Sequence, residues 1–220
     1  MRYLSLLLLF TWGIAYAIPT QLGPTGAVTL PGAECVTGFA TAADIVDNTN
    51  QRGRLLRVNY GSGDAEVGLL YGADDGSTSG VNGKLRINPH NAEFPAAVGA
   101  AYREYPYFNE RVIYAAIEHQ VTPEVKATIG IQHAQIHAIT GNVTGTRSYL
   151  AVTVRMPRNE EVCGEIQTFG DSLYESRAIA SVRYTKHYRH YDYSVGTTNA
   201  NGLLGGDRQN LFAGMSVGWR

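Results

Sequence analysis

In five stretches of this chain apolar side chains recur at every second position, and the residues between them are mostly small or polar. Leu56, Val58 and Tyr60 alternate with Arg57 and Asn59; Ala65, Val67, Leu69 and Tyr71 alternate with Glu66, Gly68, Leu70 and Gly72. Leu85 and Ile87 stand between Lys84, Arg86 and Asn88, and Val125, Ala127, Ile129 and Ile131 between Lys126, Thr128, Gly130 and Gln132. Leu150, Val152, Val154 and Met156 complete the set against Tyr149, Ala151, Thr153 and Arg155. A period of two sends successive side chains to opposite faces of a β-strand, so each stretch is extended with one greasy and one polar or small face. No stretch repeats at three and four over several turns, as an amphipathic helix would. The 25 Gly and 14 Tyr, beside 3 Met and 17% charged residues, fit an all-β chain rich in turns.

Weaker alternation marks residues 34–41, 95–105, 111–120, 162–169, 177–187, 191–198 and 210–219, which brings the expectation to about twelve strands. The links between them differ in length. "GSG", "VTPE", "PRNE" and "YRH" are tight, "PHNAEFP" is intermediate, and "AADIVDNTNQ", "ADDGSTSG", "AQIHAITGNVTGT" and "NANGLLGGDRQ" read as long loops. Short and long mostly alternate, which is the wiring of a closed antiparallel up-and-down transmembrane β-barrel. Such a barrel keeps short turns on its periplasmic rim, long loops outside, an even strand count and both ends on the periplasmic side.

The start of the chain agrees. "MRYLSLLLLFTWGIAYA" places Arg2 before an apolar run and ends on Ala15-Tyr16-Ala17, the layout of a secretory signal peptide cut after Ala17. The apolar run is too short for a bilayer-spanning helix, which needs about 20 residues. The expected division is therefore a signal peptide over 1–17, a periplasmic lead-in over 18–33 and the outer-membrane barrel over 34–220. Losing Arg2 from the 18 basic residues leaves 17 against 19 acidic ones, with no block of like charge, so nothing points to nucleic acid.

A membrane barrel turns its apolar face to lipid and its polar face to the lumen, the reverse of a soluble β protein. Three features favour the membrane case. The non-apolar face is rich in Gly, Ala, Ser and Thr, which suit a narrow interior. Tyr60, Tyr71, Tyr149, Tyr191 and Trp219 fall near strand ends, where aromatic girdles meet the water–lipid boundary. The chain ends on Leu211, Ala213, Met215, Val217 and Trp219 at alternate positions, a strand that pairs with the first so that no edge is left. A lumen charge network is expected from Arg57, Glu66, Lys84, Arg86, Lys126, Arg155, Glu165, Arg183 and Asp192, with a lean toward basic residues. It has a functional reading, a small anion-leaning pore or sugar-acid path, and a structural one in which mixed charges fill the interior.

The terminal strand resembles the C-terminal signal read by bacterial barrel-assembly machinery, although Arg220 follows the aromatic residue. "GPTGAVTLPGAE" resembles the opening of YjbH-like outer-membrane barrels linked to exopolysaccharide export, with Thr25, Gly26, Pro31 and Ala33 carrying the match. The resemblance covers about a dozen residues and implies a short, barrel-only relative. The partners implied are outer-membrane lipid, the assembly machinery, and polysaccharide or a small anionic solute.

No catalytic set stands out. His133 and His137 are four apart, but on a strand that spacing does not clamp a metal. In "HYRHYDY", His187, His190 and Asp192 lie on the short-turn rim, without a nucleophile. No cofactor and no metal site is expected. Cys35 and Cys163 fall on strands one and nine, which are not neighbours, so both are expected as free thiols. The reading these features favour is a narrow channel or export-associated barrel. One rival is a secreted soluble β-sandwich or small barrel binding carbohydrate or lipid, with Val125, Ile129, Leu150, Val154 and Met215 buried. The other is an outer-membrane enzyme acting on lipid or peptide.

Overall fold

The computed structural model describes residues 20, 26–48, 51–73, 78–90, 93–139, 141–167, 178–201 and 204–219. The stretch read as a signal peptide, Thr25, and residues 74–77 of the "ADDGSTSG" link lie outside the described residues. Twelve strands follow one another: β1 Thr37–Asn48, β2 Gln51–Ser62, β3 Ala65–Ala73, β4 Thr78–Arg86, β5 Ala96–Glu104, β6 Phe108–Gln120, β7 Val125–Ala138, β8 Gly141–Met156, β9 Glu160–Gln167, β10 Ile179–His187, β11 Asp192–Asn201 and β12 Leu204–Trp219. Each pairs antiparallel with its sequence neighbours, and β1 closes the ring on β12 from Phe39↔Trp219 to Asp47↔Leu211. The terminal strand therefore has no open edge, as its alternation requires.

Three links read as loops are strand instead. Residues 42–48 continue β1, which pairs with β2 as far as Asn48↔Gln51. Most of "AQIHAITGNVTGT" belongs to a hairpin whose ladder runs to Ala138↔Gly141, and most of "NANGLLGGDRQ" belongs to β11 and β12. The first strand likewise starts at Thr37 rather than residue 34. A tilted strand crosses the hydrocarbon in about 9–11 residues, so the 14 residues of β7 and 16 of β8 reach well past it. Polarity reverses along this overhang. On β7, Ile129 and Ile131 face out low down, whereas His133, Gln135 and His137 take the same face higher up. Inside, Ile136 packs with Val112 and Tyr114, supported by Phe108, Ala134 and Val143. Past the lipid the wall has water outside and a small apolar core within, so period-two alternation loses its simple sign.

Within the lipid band the apolar face points outward. Ile129 is 63% exposed, Leu69 61% and Met215 52%, with Leu56, Val67, Val81, Leu85, Ile113 and Leu150 also exposed. Burying such side chains is what stabilises a soluble fold, so a sandwich with Ile129, Leu150, Val154 and Met215 inside is excluded by their exposure. Exposed aromatics gather at the short-turn rim, where Phe39 meets Tyr60 at 4.7 Å and Tyr188 stacks on Tyr191 at 4.8 Å. Tyr71 is exposed toward the opposite end of β3. The side chain of Trp219 lies outside the described residues.

Candidate functional site

The interior is lined by the polar parity of the strands, and register decides which charges meet. Glu66 on β3 is directly opposite Lys84 on β4, 3.5 Å away, and Arg103 on β5 is directly opposite Glu110 on β6 at 3.0 Å. Diagonal pairs join Asp44 to Arg57 (2.5 Å), Lys126 to Glu118 (3.8 Å) and Arg183 to Glu161 (3.8 Å). Arg57 is 2% exposed and Glu110 0%. Charges held that dry persist because each faces an opposite charge. Asp192 is buried opposite His187, 2.9 Å from its Nδ1. Arg86 is half-buried, and Arg155 shares the inward parity but is exposed at the short-turn end of β8.

Six charged members of this lining escaped the sequence reading: Asp44, Arg103, Glu110, Glu118, Arg147 and Glu161. Asp44 was hidden in a presumed loop. On β6 the inward parity carries Glu110, Val112, Tyr114, Ala116 and Glu118, so the two faces look alike in hydropathy. Cross-strand spacing was the available signal, because an Arg-Glu or Glu-Lys pair at mirrored distances from a tight turn meets in the ladder. The lining is mixed in sign.

The N-terminal segment 26–36 occupies the short-turn half of this interior. Ala27 to Ala33 are buried, and residues 26–31 fold into a small hairpin closed by the Gly26↔Pro31 bridge and the Ala27 N–H to the Leu30 carbonyl (2.9 Å). The carboxylate of Glu165 caps that hairpin. It accepts the N–H groups of Val28 (2.9 Å), Thr29 (2.8 and 3.0 Å) and Leu30 (3.2 Å), and the Thr29 hydroxyl. Successive amides converging on one anion form a nest. Below the hairpin, the Tyr149 hydroxyl donates to the Pro31 carbonyl at 2.9 Å. Lys126 Nζ lies 3.0 Å from the Glu34 carboxylate, and Lys84 Nζ donates to the Glu34 carbonyl at 2.5 Å. The Val36 N–H reaches Glu66 at 3.0 Å. Burial pushes the Glu34 carboxyl up, but the Lys126 ammonium, together with Arg155 and Lys84, more than offsets it, so the group is held below its ordinary value. Beside the segment, a small cavity of about 10 Å³ is lined by Val28, Asp44, Arg57, Arg183, Phe212 and Ser216, among others.

Tyr149 is therefore not a girdle residue. It is 2% exposed and faces inward, because its odd-numbered parity on β8 is the lumen parity. Its ring lies over Gly130, its direct register partner on β7, and Tyr114 lies in the same way over Gly99. A side chain at either glycine would occupy the volume of the ring. The histidines do not assemble a site: His133 bonds Thr146 and His137 bonds Asn142, each at 2.9 Å on the outer face. Among the described residues no three His, Cys, Asp or Glu side chains converge as metal ligands. Cys35 and Cys163 are both free and buried. Burial pushes the Cys35 thiol up to about 11.

No protein-family model matches the chain, and no curated protein matches it by sequence. Solved structures do match its fold. The KdgM porin in complex with disordered oligogalacturonate superposes with a TM-score of 0.68 at 9% identity, over 82% of this chain and 99% of that one. The NanC porin gives 0.63 at 9% identity, over 83% and 100%. The outer membrane protein Omp33 of Acinetobacter baumannii gives 0.50 at 13%, over 86% and 100%. The YjbH-like resemblance of residues 23–34 finds no support among these neighbours. Of the residues behind it, Gly26, Pro31 and Ala33 build the lumen hairpin or pack beneath it. This chain shares the fold of these outer-membrane proteins, a closed antiparallel barrel of twelve strands.

Proposed function

We propose that this chain is a narrow outer-membrane channel for small acidic solutes of the sugar-acid class. The observation that carries the reading is the inverted polarity of the wall. Leu69, Ile129 and Met215 face out, while Arg57, Glu66, Lys84, Arg103, Glu110 and Glu165 are buried inside. Only a lipid surround and a polar interior reconcile those two facts. Two further observations favour an acidic solute. Lys126 and Lys84 already hold the carboxylate and carbonyl of Glu34 in the lumen, and the KdgM porin of like fold was solved with oligogalacturonate. In this reading residues 1–17 are removed on export and the 210–219 strand is recognised by the barrel-assembly machinery. The test is a planar-bilayer recording on the refolded mature chain. Discrete openings with a reversal potential on the anion side are expected. Mature protein recovered freely soluble from the periplasm without detergent would overturn the membrane assignment, and cation-selective openings would overturn the solute class.

A further inference from the structure

The segment 26–36 does more than fill space. It enters from the short-turn mouth, reaches the level of Glu165 and Tyr149, and is tied to the wall by side chains from six strands: Glu66, Lys84, Glu118, Lys126, Tyr149 and Glu165. The contacts of Glu66, Lys84, Lys126, Tyr149 and Glu165 are hydrogen bonds or an ion pair. Glu118 lies against Gly32, so close that a side chain there would meet its carboxylate. The ties from these six side chains are polar. Apolar packing adds two small clusters, Ala27 and Val28 with Ala151, Cys163 and Phe212, and Leu30 and Ala33 with Ala97, Ala116 and Tyr149, and buries Cys35 and Val36 besides. A segment held by polar contacts can exchange them for those of a polar ligand or of water, because the competitor supplies contacts of the same kind in return. A segment held by a large apolar face could not.

The chemistry of the ties is that of a bound solute. Glu34 presents a carboxylate to Lys126 and a carbonyl oxygen to Lys84, and its own side chain is 48% exposed at the mouth. A uronate unit offers the same two groups, a carboxylate beside neutral oxygens. We propose that 26–36 is a tethered plug that closes the channel as an internal mimic of its solute. A sugar-acid carboxylate arriving at the mouth takes the place of Glu34 on Lys126 and shifts the segment toward release. This rests on the channel reading above and adds the closed state and the chemistry that relieves it.

The test uses the refolded mature chain in planar bilayers, with folding of every variant confirmed by the heat-dependent gel shift of a closed barrel. Val28→Cys is combined with Cys35→Ser, so that residue 28 can bridge only to Cys163 in its own cluster. Wild type is expected to rest closed with brief openings. The oxidised variant is expected to be silent and to recover those openings on reduction with dithiothreitol. Oligogalacturonate is expected to raise the wild-type open time about tenfold, to do so far less in Lys126→Gln, and neutral malto-oligosaccharide is expected to do nothing. If the double variant does not fold, Glu34→Gln is read instead, with open time raised several-fold. Bridged protein conducting like its reduced form, an undiminished oligogalacturonate response in Lys126→Gln, or a Glu34→Gln open time equal to wild type each overturns the plug while leaving a channel. Silence in a folded variant whose residues 26–34 are replaced by a Gly-Ser linker overturns the channel, and the plug with it.

Discussion

Glu165→Gln gives the sharpest check on how the segment is held. The wild-type carboxylate accepts three consecutive amides and one hydroxyl on two oxygens. The amide side chain keeps the shape but loses the charge and one acceptor. A hydrogen bond to a charged partner contributes about 1.5–3 kcal/mol, and roughly half of that remains when the acceptor is neutral. The –NH₂ end then faces an N–H of the nest, and a buried donor left without an acceptor costs about 1–3 kcal/mol. The bonds share two oxygens, so they do not add fully, and about 3–4 kcal/mol in total is the reasonable sum. At about 1.4 kcal/mol per decade this is a few hundredfold in the local opening equilibrium. Hydrogen exchange read by mass spectrometry on peptides covering 26–36 should show that loss of protection, while peptides from β6 and β7 keep theirs because the ladder is untouched. A change below about fivefold at 26–36, or an equal loss across the barrel, would refute the latch.

Three other perturbations follow from the same geometry. Because burial raises the Cys35 thiol to about 11, its thiolate is scarce below that pH. Maleimide should therefore label folded protein (with Cys163→Ser) about a hundredfold more slowly at pH 8 than urea-unfolded chain, gaining about tenfold per pH unit up to pH 10. A rate equal in both states would show that Cys35 is not held in the segment. Gly130→Leu should displace the Tyr149 ring and cost about 1–3 kcal/mol by overpacking, whereas Gly164→Ala, with open space around it, should match wild type in urea unfolding from vesicles. Ile129→Arg on the lipid face should cost about 2–4 kcal/mol in the same assay, and a cost near zero would place that face in water.

Sequence and tertiary structure divided the information along a physical line. Period-two alternation is a local property, because it follows from the pleat of one strand. It was enough to assign the facing of Leu56, Leu69, Ile129 and Met215, the strand count, and the closure of 210–219 on the first strand. It failed where the surroundings change along a strand, as on the β7–β8 overhang, since the same outward position meets lipid at Ile129 and water at His137. Tyr149 was misassigned because strand-end position was weighed above parity.

What meets what is not local. Arg103 finds Glu110 and Glu66 finds Lys84 only through the register of neighbouring strands. Residues 26–33 lie ahead of the first alternating stretch, so nothing in their order indicates that a distant carboxylate, Glu165, gathers the amides of Val28, Thr29 and Leu30. The chain alone determined which face of the wall meets lipid. Only ring closure, which brings all twelve strands around one axis, decided that the segment ahead of the first strand sits in the lumen, where buried charges need it as a partner.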